Sequence, residues 1–179
     1  MRKVTLIFGL LAGITSSVFS IIIVMMCERD KLNLDRSDLI GYASMVIALS
    51  MIFVGIKSYR DNYRSGAISF GRGLQVGILI SLIASLIFAA GAEVFYQADP
   101  VAQAALMDKY ADHHINKLKE RGGSSDEIEQ KTRQMTDLKE MNKNALMRFV
   151  MSVVIILPVG IVISLISAAL LRKKEFLPA

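Results

Sequence analysis

The chain has 179 residues, of which 53% are hydrophobic and 21% are charged, and its net charge is +5. These totals do not separate soluble from membrane proteins. The distribution of charge excludes an ordinary soluble protein, because four long apolar stretches contain no charged residue at all. The only cysteine is Cys27, which excludes an internal disulfide.

The four apolar stretches without Asp, Glu, Lys or Arg occupy residues 4–27, 39–56, 73–92 and 149–171. A helix rises about 1.5 Å per residue, so each stretch is long enough to cross the roughly 30 Å hydrocarbon core of a bilayer. The first stretch is longer than the apolar core of a signal peptide, and no small-x-small cleavage pattern follows it. We therefore predict an all-α fold, a four-span transmembrane helical bundle in which residues 1–179 form a single membrane domain.

Positive charge is concentrated in three of the five segments outside these stretches. The N-terminus, residues 57–72 and the C-terminal tail carry +2, +3 and +2, whereas residues 28–38 and 93–148 each carry −1. Cytoplasmic segments are enriched in Lys and Arg, and four spans place both termini on one side. We expect a multi-pass protein of a bacterial cytoplasmic (inner) membrane, with both termini in the cytoplasm.

The long segment between the third and fourth spans predicts an extracytoplasmic helical hairpin, at about 99–148. Asp99 followed by Pro100 is typical of a helix start, because Asp accepts from free amides and Pro has no amide to leave unpaired. Ser124 with Glu127 forms a capping-box pattern that opens a second helix after two glycines. We expect this second helix to continue into the fourth span as one long helix.

The sequence is most distinctive around the second and third spans. It contains Ile40-Gly-Tyr-Ala-Ser-Met, Met51-Ile-Phe-Val-Gly-Ile-Lys-Ser-Tyr-Arg-Asp-Asn-Tyr and Gly66-Ala-Ile-Ser-Phe-Gly-Arg-Gly-Leu, and near its end Pro158-Val-Gly and Leu171-Arg-Lys-Lys. With these segments the chain resembles, over nearly its whole length, the bacterial membrane family catalogued as domain of unknown function 4199. The resemblance implies an integral membrane protein without an assigned reaction, and it supplies no functional residue.

The loop between the second and third spans interleaves cations with aromatic residues. Its candidate residues for contact with lipid or a partner are Lys57, Tyr59, Arg60, Arg64 and Arg72. A cation near an anionic membrane surface contributes about 1 kcal/mol, so the loop could hold anionic headgroups or an acidic partner. The favoured alternative is that the loop only fixes orientation and anchors two helix ends, because four cations are few for a lipid site.

Small residues recur at every fourth position of the third span, and two glycines share this spacing in the first. The candidate helix-packing residues are Gly9, Gly13, Gly73, Gly77, Ser81, Ser85 and Ala89. Small side chains let helix backbones approach closely in a membrane. Because the stripe rotates by about 40° per step, we expect Gly73 and Gly77 to meet the first span. The outer part of the stripe then meets another helix of the bundle or a second copy, and a substrate path along the stripe is the alternative.

Two ionisable residues lie at the outer ends of spans. Glu93 ends the third and Arg148 precedes the fourth, and we expect them to form an ion pair. His113 and His114 are adjacent, so on a helix they point about 100° apart and cannot share a metal ion as an i, i+4 pair would. The sequence therefore predicts neither a metal site nor a cofactor.

The sequence contains no Walker loop, dinucleotide-binding glycine motif or zincin motif. We therefore expect no enzyme, but a non-enzymatic interaction or structural protein of the membrane. The alternative is a small transporter or channel subunit, for which only Gln75 and scattered Ser and Thr residues could line a polar pathway. The expected partners are membrane lipids and a second copy or another membrane protein, with no nucleic acid.

Overall fold

The computed structural model describes residues 1–29 and 34–173, apart from the side chain of Asp35. Asp30, Lys31, Lys174 and Glu175, which enter the charge comparison, lie outside the described residues. The described chain folds into helices and contains no strand. The helices are α1 (Arg2–Glu28), α2 (Leu34–Leu49), α3 (Met51–Tyr63), α4 (Phe70–Ala98), α5 (Pro100–Glu120), α6 (Ser125–Lys143) and α7 (Ala145–Leu171).

The second span consists of α2 and α3, which meet at Ser50 without leaving helical geometry. Ser50 has φ −59° and ψ −20°, and its amide donates to the carbonyl of Val46 at 2.9 Å. The helices long and apolar enough to cross a membrane are Arg2–Glu28, Arg36–Tyr63, Phe70–Ala98 and Ala145–Leu171. The predicted all-α fold with four spans is confirmed.

The central helix of the bundle is α4. It packs along both α1 and α7, and α3 contacts all of these helices, whereas α2 packs chiefly on α1. The core between α3 and α4 contains the fully buried side chains of Ile52, Ile56, Val76 and Ile80. The exposed positions of the spans are mostly large apolar side chains, as expected where the surrounding solvent is hydrocarbon.

A helical hairpin of α5 and α6 connects α4 with α7. Asp99 caps α5, because its Oδ1 accepts from the Ala102 amide at 3.0 Å. Ser124 and Glu127 form the predicted capping box, in which the Ser124 amide donates to Glu127 Oε2 at 2.8 Å. Gly122 has φ +75°, a backbone conformation that favours glycine and allows the sharp turn.

The prediction that α6 runs on into the fourth span is wrong. Asn144 has φ −95° and ψ 120°, which is outside helical geometry. Its side-chain Oδ1 accepts from the amides of Leu146 at 2.9 Å and Met147 at 3.3 Å. Asn competes in this way with the helical backbone for hydrogen bonds, so it ends α6 and starts α7.

The opposite end of the bundle is held by a short backbone link. The amide of Ile68 donates to the carbonyl of Lys173 at 3.1 Å, and the amide of Lys173 donates back to Ile68 at 3.1 Å. Ser65 and Gly66 both have positive φ, at 50° and 82°, where the loop turns. The loop after α3 is thereby joined to the end of α7.

Candidate functional site

The most extensive helix contact in the bundle joins α4 to α7. A Cβ atom added to Gly77 would lie 2.7 Å from Ser164 Cβ, and one added to Gly160 would lie 2.7 Å from Ser81 Cβ. The hydroxyl oxygens of Ser81 and Ser164 are 3.2 Å apart, and each hydroxyl also donates to a carbonyl of its own helix. The two backbones approach this closely because glycine faces serine on both sides of the contact.

Gly73 and Gly77 face α7, so the prediction that they meet the first span is wrong. A Cβ atom on Gly73 would lie 3.2 Å from Ala168 Cβ. The reason is that α7 has its own stripe of small residues, Gly160, Ser164 and Ala168, at the same spacing of four. The spacing is visible in the sequence and makes α7 as suitable a partner for Gly73 and Gly77 as α1.

The glycines of α1 receive large side chains of α4. A Cβ atom on Gly9 would lie 2.7 Å from Ile83 Cβ, and one on Gly13 would lie 2.7 Å from Ile87 Cβ. The β-branched isoleucines thus fill the spaces that the glycines leave. Both candidate glycines of the first span lie in a helix interface, but the side chains that they contact are isoleucines and not the predicted small-residue stripe of α4.

The outer part of the α4 stripe is covered within the chain. Ser85 and Ala89 each have an exposed fraction of 0%. The Ser85 hydroxyl donates to the Leu82 carbonyl at 2.9 Å. These positions therefore offer no surface to a second copy, and they line no accessible path.

Arg148 and Glu93 are in direct contact at the hairpin end of the bundle. Arg148 Nε donates to Glu93 Oε2 at 2.9 Å, and Arg148 Nη2 donates to Glu93 Oε1 at 2.6 Å. Arg148 also donates to the Asn142 carbonyl at 2.8 Å, and its guanidinium lies 3.8 Å from the centre of the Tyr96 ring. The bidentate pair joins α4 to α7, and the bond to Asn142 adds α6.

A pocket of about 440 Å³ lies beside this ion pair, between the spans and the hairpin. All described helices except α3 contribute to its lining, and α2 contributes only residues of its first turn. Its walls are mainly apolar, with Ile21, Phe88 and Ile155 from the spans and Met107 and Met141 from the hairpin. A few polar groups also line it, which is the composition typical of small-molecule sites.

The polar groups of the pocket lie on several helices. Ser152 and Tyr110 line it from α7 and α5. Gln103 Nε2 donates to Glu28 Oε1 at 2.8 Å, which links α5 to the end of α1. Cys27 also lines the pocket and is 4% exposed, so its thiol is covered by protein.

The other end of the bundle carries a cluster of cations, which we call the basic face. The described cations of this end are Arg2, Lys3, Lys57, Arg60, Arg64, Arg72, Arg172 and Lys173. The described part of this end contains one acidic residue, Asp61, whose Oδ1 lies 2.7 Å from Arg60 Nε. Tyr59 is only 6% exposed and belongs to the core, whereas Tyr63 stacks on it and is 54% exposed. Of these two rings, Tyr63 is the one that the surface presents.

The histidines of α5 contact protein groups. His114 packs edge-on against Tyr110, with ring centres 4.3 Å apart, and its Nε2 lies 3.8 Å from Asp38 Oδ2. Burial lowers the pKa of His114 below its ordinary 6.5, and nearby Asp38 opposes this effect. Burial raises the pKa of Tyr110. Among residues 1–29 and 34–173, no three His, Cys, Asp or Glu side chains lie close enough together to hold a metal ion.

Comparisons with known proteins give one match. A family model described as "Protein of unknown function (DUF4199)" matches residues 7–173. No curated protein and no solved structure matches the chain. The matched segment includes most of all four spans and the complete hairpin. The chain therefore belongs to the DUF4199 family.

Proposed function

We propose that this chain is a non-enzymatic membrane protein that associates with anionic lipid headgroups through its basic face, which lies on the cytoplasmic side. The observation that carries the proposal is the charge of this end, where eight described cations face one carboxylate, already paired with Arg60. Each cation held near an anionic leaflet contributes about 1 kcal/mol.

The basic face is held in place by the fold. The hydrogen bonds between Ile68 and Lys173 fix the loop against the end of α7. Val4, Tyr59 and Leu171 belong to the buried core just beneath, so the cations project from packed helix ends. Pre-positioned charges need less ordering on binding than charges on a free tail.

The transporter alternative receives less support. A pathway along the α4 stripe would pass Ser81, Ser85 and Ser164, each with an exposed fraction of 0%. Each hydroxyl donates to a carbonyl of its own helix. The seam between α4 and α7 is therefore packed protein and not a polar channel.

Lipid selectivity tests the proposal. The protein is placed in nanodiscs containing equal amounts of phosphatidylglycerol and phosphatidylcholine, and retained lipids are counted by native mass spectrometry. We expect phosphatidylglycerol to be enriched several-fold. Changing Lys57, Arg64 and Arg72 to Glu should abolish the enrichment, and changing Lys119, Arg133 and Lys143 of the hairpin to Glu should leave it intact. Equal retention of both lipids by the unaltered protein would contradict the proposal, and binding of an acidic protein instead would assign the face to another partner.

Thiol labelling tests the orientation. Asn62 and Ser125 are exposed at opposite ends of the bundle and suit substitution by Cys in a Cys27→Ala background. An impermeant reagent should label the Ser125→Cys protein in intact cells and the Asn62→Cys protein only after permeabilisation. Labelling in the reverse order would invert the topology.

A further inference from the structure

We infer that the pocket beneath the hairpin is a binding site for a single-chain amphiphile with an uncharged polar head. This inference concerns the end of the bundle opposite the basic face and does not depend on the lipid association proposed above. It rests on the size of the pocket, the character of its walls and the charge state of its polar corner.

The volume of the pocket suits an amphiphile with a single alkyl chain. Its volume of about 440 Å³ corresponds to about fifteen atoms the size of a water molecule, each of which takes about 30 Å³. A diacyl phospholipid is far too large, whereas an alkyl chain of about a dozen carbons with a small head has this volume. The volume also lies within the roughly 300–1,000 Å³ of small-molecule sites.

The pocket follows from the path of the second span. On the basic side, α3 contacts α1, α4 and α7 and fills the centre of the bundle. On the hairpin side, α2 follows α1, and only its first turn reaches the pocket. The space between the spans is covered by α5 and α6. The spans and the hairpin therefore leave a partly open pocket, and not a packed core, at this end of the bundle.

The walls of the pocket divide into an apolar depth and a polar corner. Ile21, Phe88 and Ile155 come from three different spans and offer an alkyl chain contact on all sides. Met107 and Met141 cover the chain from the hairpin, and methionine adapts its shape to irregular apolar ligands. An amphiphile that enters the pocket from the membrane would already carry such an alkyl chain.

The polar corner favours a head without net charge. The side chains of Arg148 and Glu93 are 12% and 16% exposed and neutralise each other. Arg148 still has an unused N–H on each terminal nitrogen after its bonds to Glu93 and the Asn142 carbonyl, and the carboxylate retains accepting capacity. A hydroxyl head both accepts and donates, so it satisfies both partners. A charged head would leave one unbalanced charge in a covered site, which is costly.

Photo-crosslinking tests this site. Dodecanol with a diazirine at the end of its chain is added to the protein in phosphatidylcholine vesicles, and labelled residues are mapped by mass spectrometry. We expect labelling to concentrate at the apolar depth and to be competed by unmodified dodecanol. Labelling spread evenly over the lipid-facing residues, without competition, would overturn the inference.

Two variants that fill the pocket are compared with matched controls. Ser152→Phe fills it from α7, and Val150→Phe, which changes a side chain 45% exposed to lipid, is its control. Met107→Trp fills it from the hairpin, and Val101→Trp, at a position 79% exposed, is its control. Each filling variant should lower labelling at least about fivefold. Unchanged labelling in a filling variant that folds would overturn the inference. If Ser152→Phe does not fold, the labelling of Met107→Trp provides the test.

Competition among heads tests the assignment of charge. Dodecanol should compete at about tenfold lower concentration than dodecanoate or dodecyltrimethylammonium, because each of these adds a net charge beside the ion pair. Equal competition by the charged amphiphiles would overturn the uncharged head.

Discussion

The two halves of α4 are packed in different ways. In the half near the basic face, Gly77 and Ser81 lie against Ser164 and Gly160 of α7 at backbone contact. In the half near the hairpin, Glu93 pairs directly with Arg148 beside a pocket of about 440 Å³. One helix thus contributes a closely packed seam at one end and lines a pocket with a polar corner at the other.

This difference separates stability from binding. The small side chains of the seam between α4 and α7 let the two backbones approach, and any added volume there must displace a neighbouring helix. The hairpin end has spare volume and groups with unused hydrogen-bonding capacity. We therefore expect substitutions in the seam to act mainly on the fold and substitutions around the pocket to act also on ligand binding.

The largest expected effect is that of Gly77→Leu. Its Cβ alone would lie 2.7 Å from Ser164 Cβ, so α4 and α7 must separate. We expect a loss of about 3 kcal/mol or more, or failure to fold, as for severe overpacking. Gly41→Leu is the matched control, because nothing lies within 4 Å of a Cβ there. Thermal unfolding in mild detergent measures both, and equal midpoints would show that the seam tolerates separation.

Removing one partner of the ion pair should have the next largest effect. Glu93→Gln leaves Arg148 without its carboxylate in a corner where it is 12% exposed. Because breaking a buried pair costs about 3–5 kcal/mol and this one is partly exposed, we expect a loss of about 2 kcal/mol. Adding Arg148→Met should recover part of that loss, since no lone charge remains.

An exposed pair on the hairpin is the control for this measurement. Arg133 and Glu129 form an i, i+4 pair whose side chains are 76% and 63% exposed. Glu129→Gln should cost less than about 0.5 kcal/mol, because water solvates both charges. If Glu93→Gln and Glu129→Gln changed the unfolding midpoint equally, Glu93 would act as a surface charge and the corner would not be covered.

The sequence predicted what depends on local composition. The lengths of the stretches without charged residues identified the spans, because a helix needs a minimum number of apolar residues to cross the bilayer. Asp99 and the pair Ser124 and Glu127 predicted helix starts, because capping involves only neighbouring residues. The lengths of the third and fourth spans place Glu93 and Arg148 at the same depth, and this predicted their ion pair.

What the sequence left undetermined depends on which helices become neighbours. The spacing of Gly73 and Gly77 indicated close packing but named the wrong partner, because α1 and α7 both carry small residues at the required spacing. The pocket was not predicted at all. At this end α2 packs chiefly on α1 and reaches the pocket only with its first turn. An apolar residue such as Phe88 has the same sequence signature in a pocket wall as in a core.

Asn144→Ala tests the break between the hairpin and α7. We expect it to lower the stability of the protein less than Gly77→Leu or Glu93→Gln does. It removes an acceptor for two amides at the start of α7, and loss of such a cap costs about 1 kcal/mol. Asn116→Ala, at an exposed position within α5, is the control and should be neutral or slightly stabilising, because Ala has the higher helix propensity. Equal effects would show that Asn144 does not hold the break. Hydrogen exchange of the α7 amides would locate the loss.

The smallest expected effect is a pH dependence of the hairpin that comes from His114. Burial lowers its pKa below 6.5 in the fold, whereas Asp38 on α2 raises it and Lys131, His113 and Lys117 lower it further. The unfolded chain therefore takes up a proton at a pH where folded His114 stays neutral. Stability is complete above 6.5 and falls as the pH drops from 6.5 through the folded pKa.

His114→Gln should remove this part of the pH dependence, because Gln keeps a polar side chain that does not titrate. Asp38→Asn should lower the pKa of His114 further and extend the fall in stability to lower pH, since Asp38 is the group that favours the charged imidazole. Hydrogen exchange of the α5 amides between about pH 8 and pH 5 follows the effect, after correction for the intrinsic exchange rate. The basic face lies at the other end of the bundle, so its amides serve as the internal reference. An identical pH profile in the unaltered protein and in His114→Gln would contradict the prediction, because it would show that burial does not lower the pKa of His114.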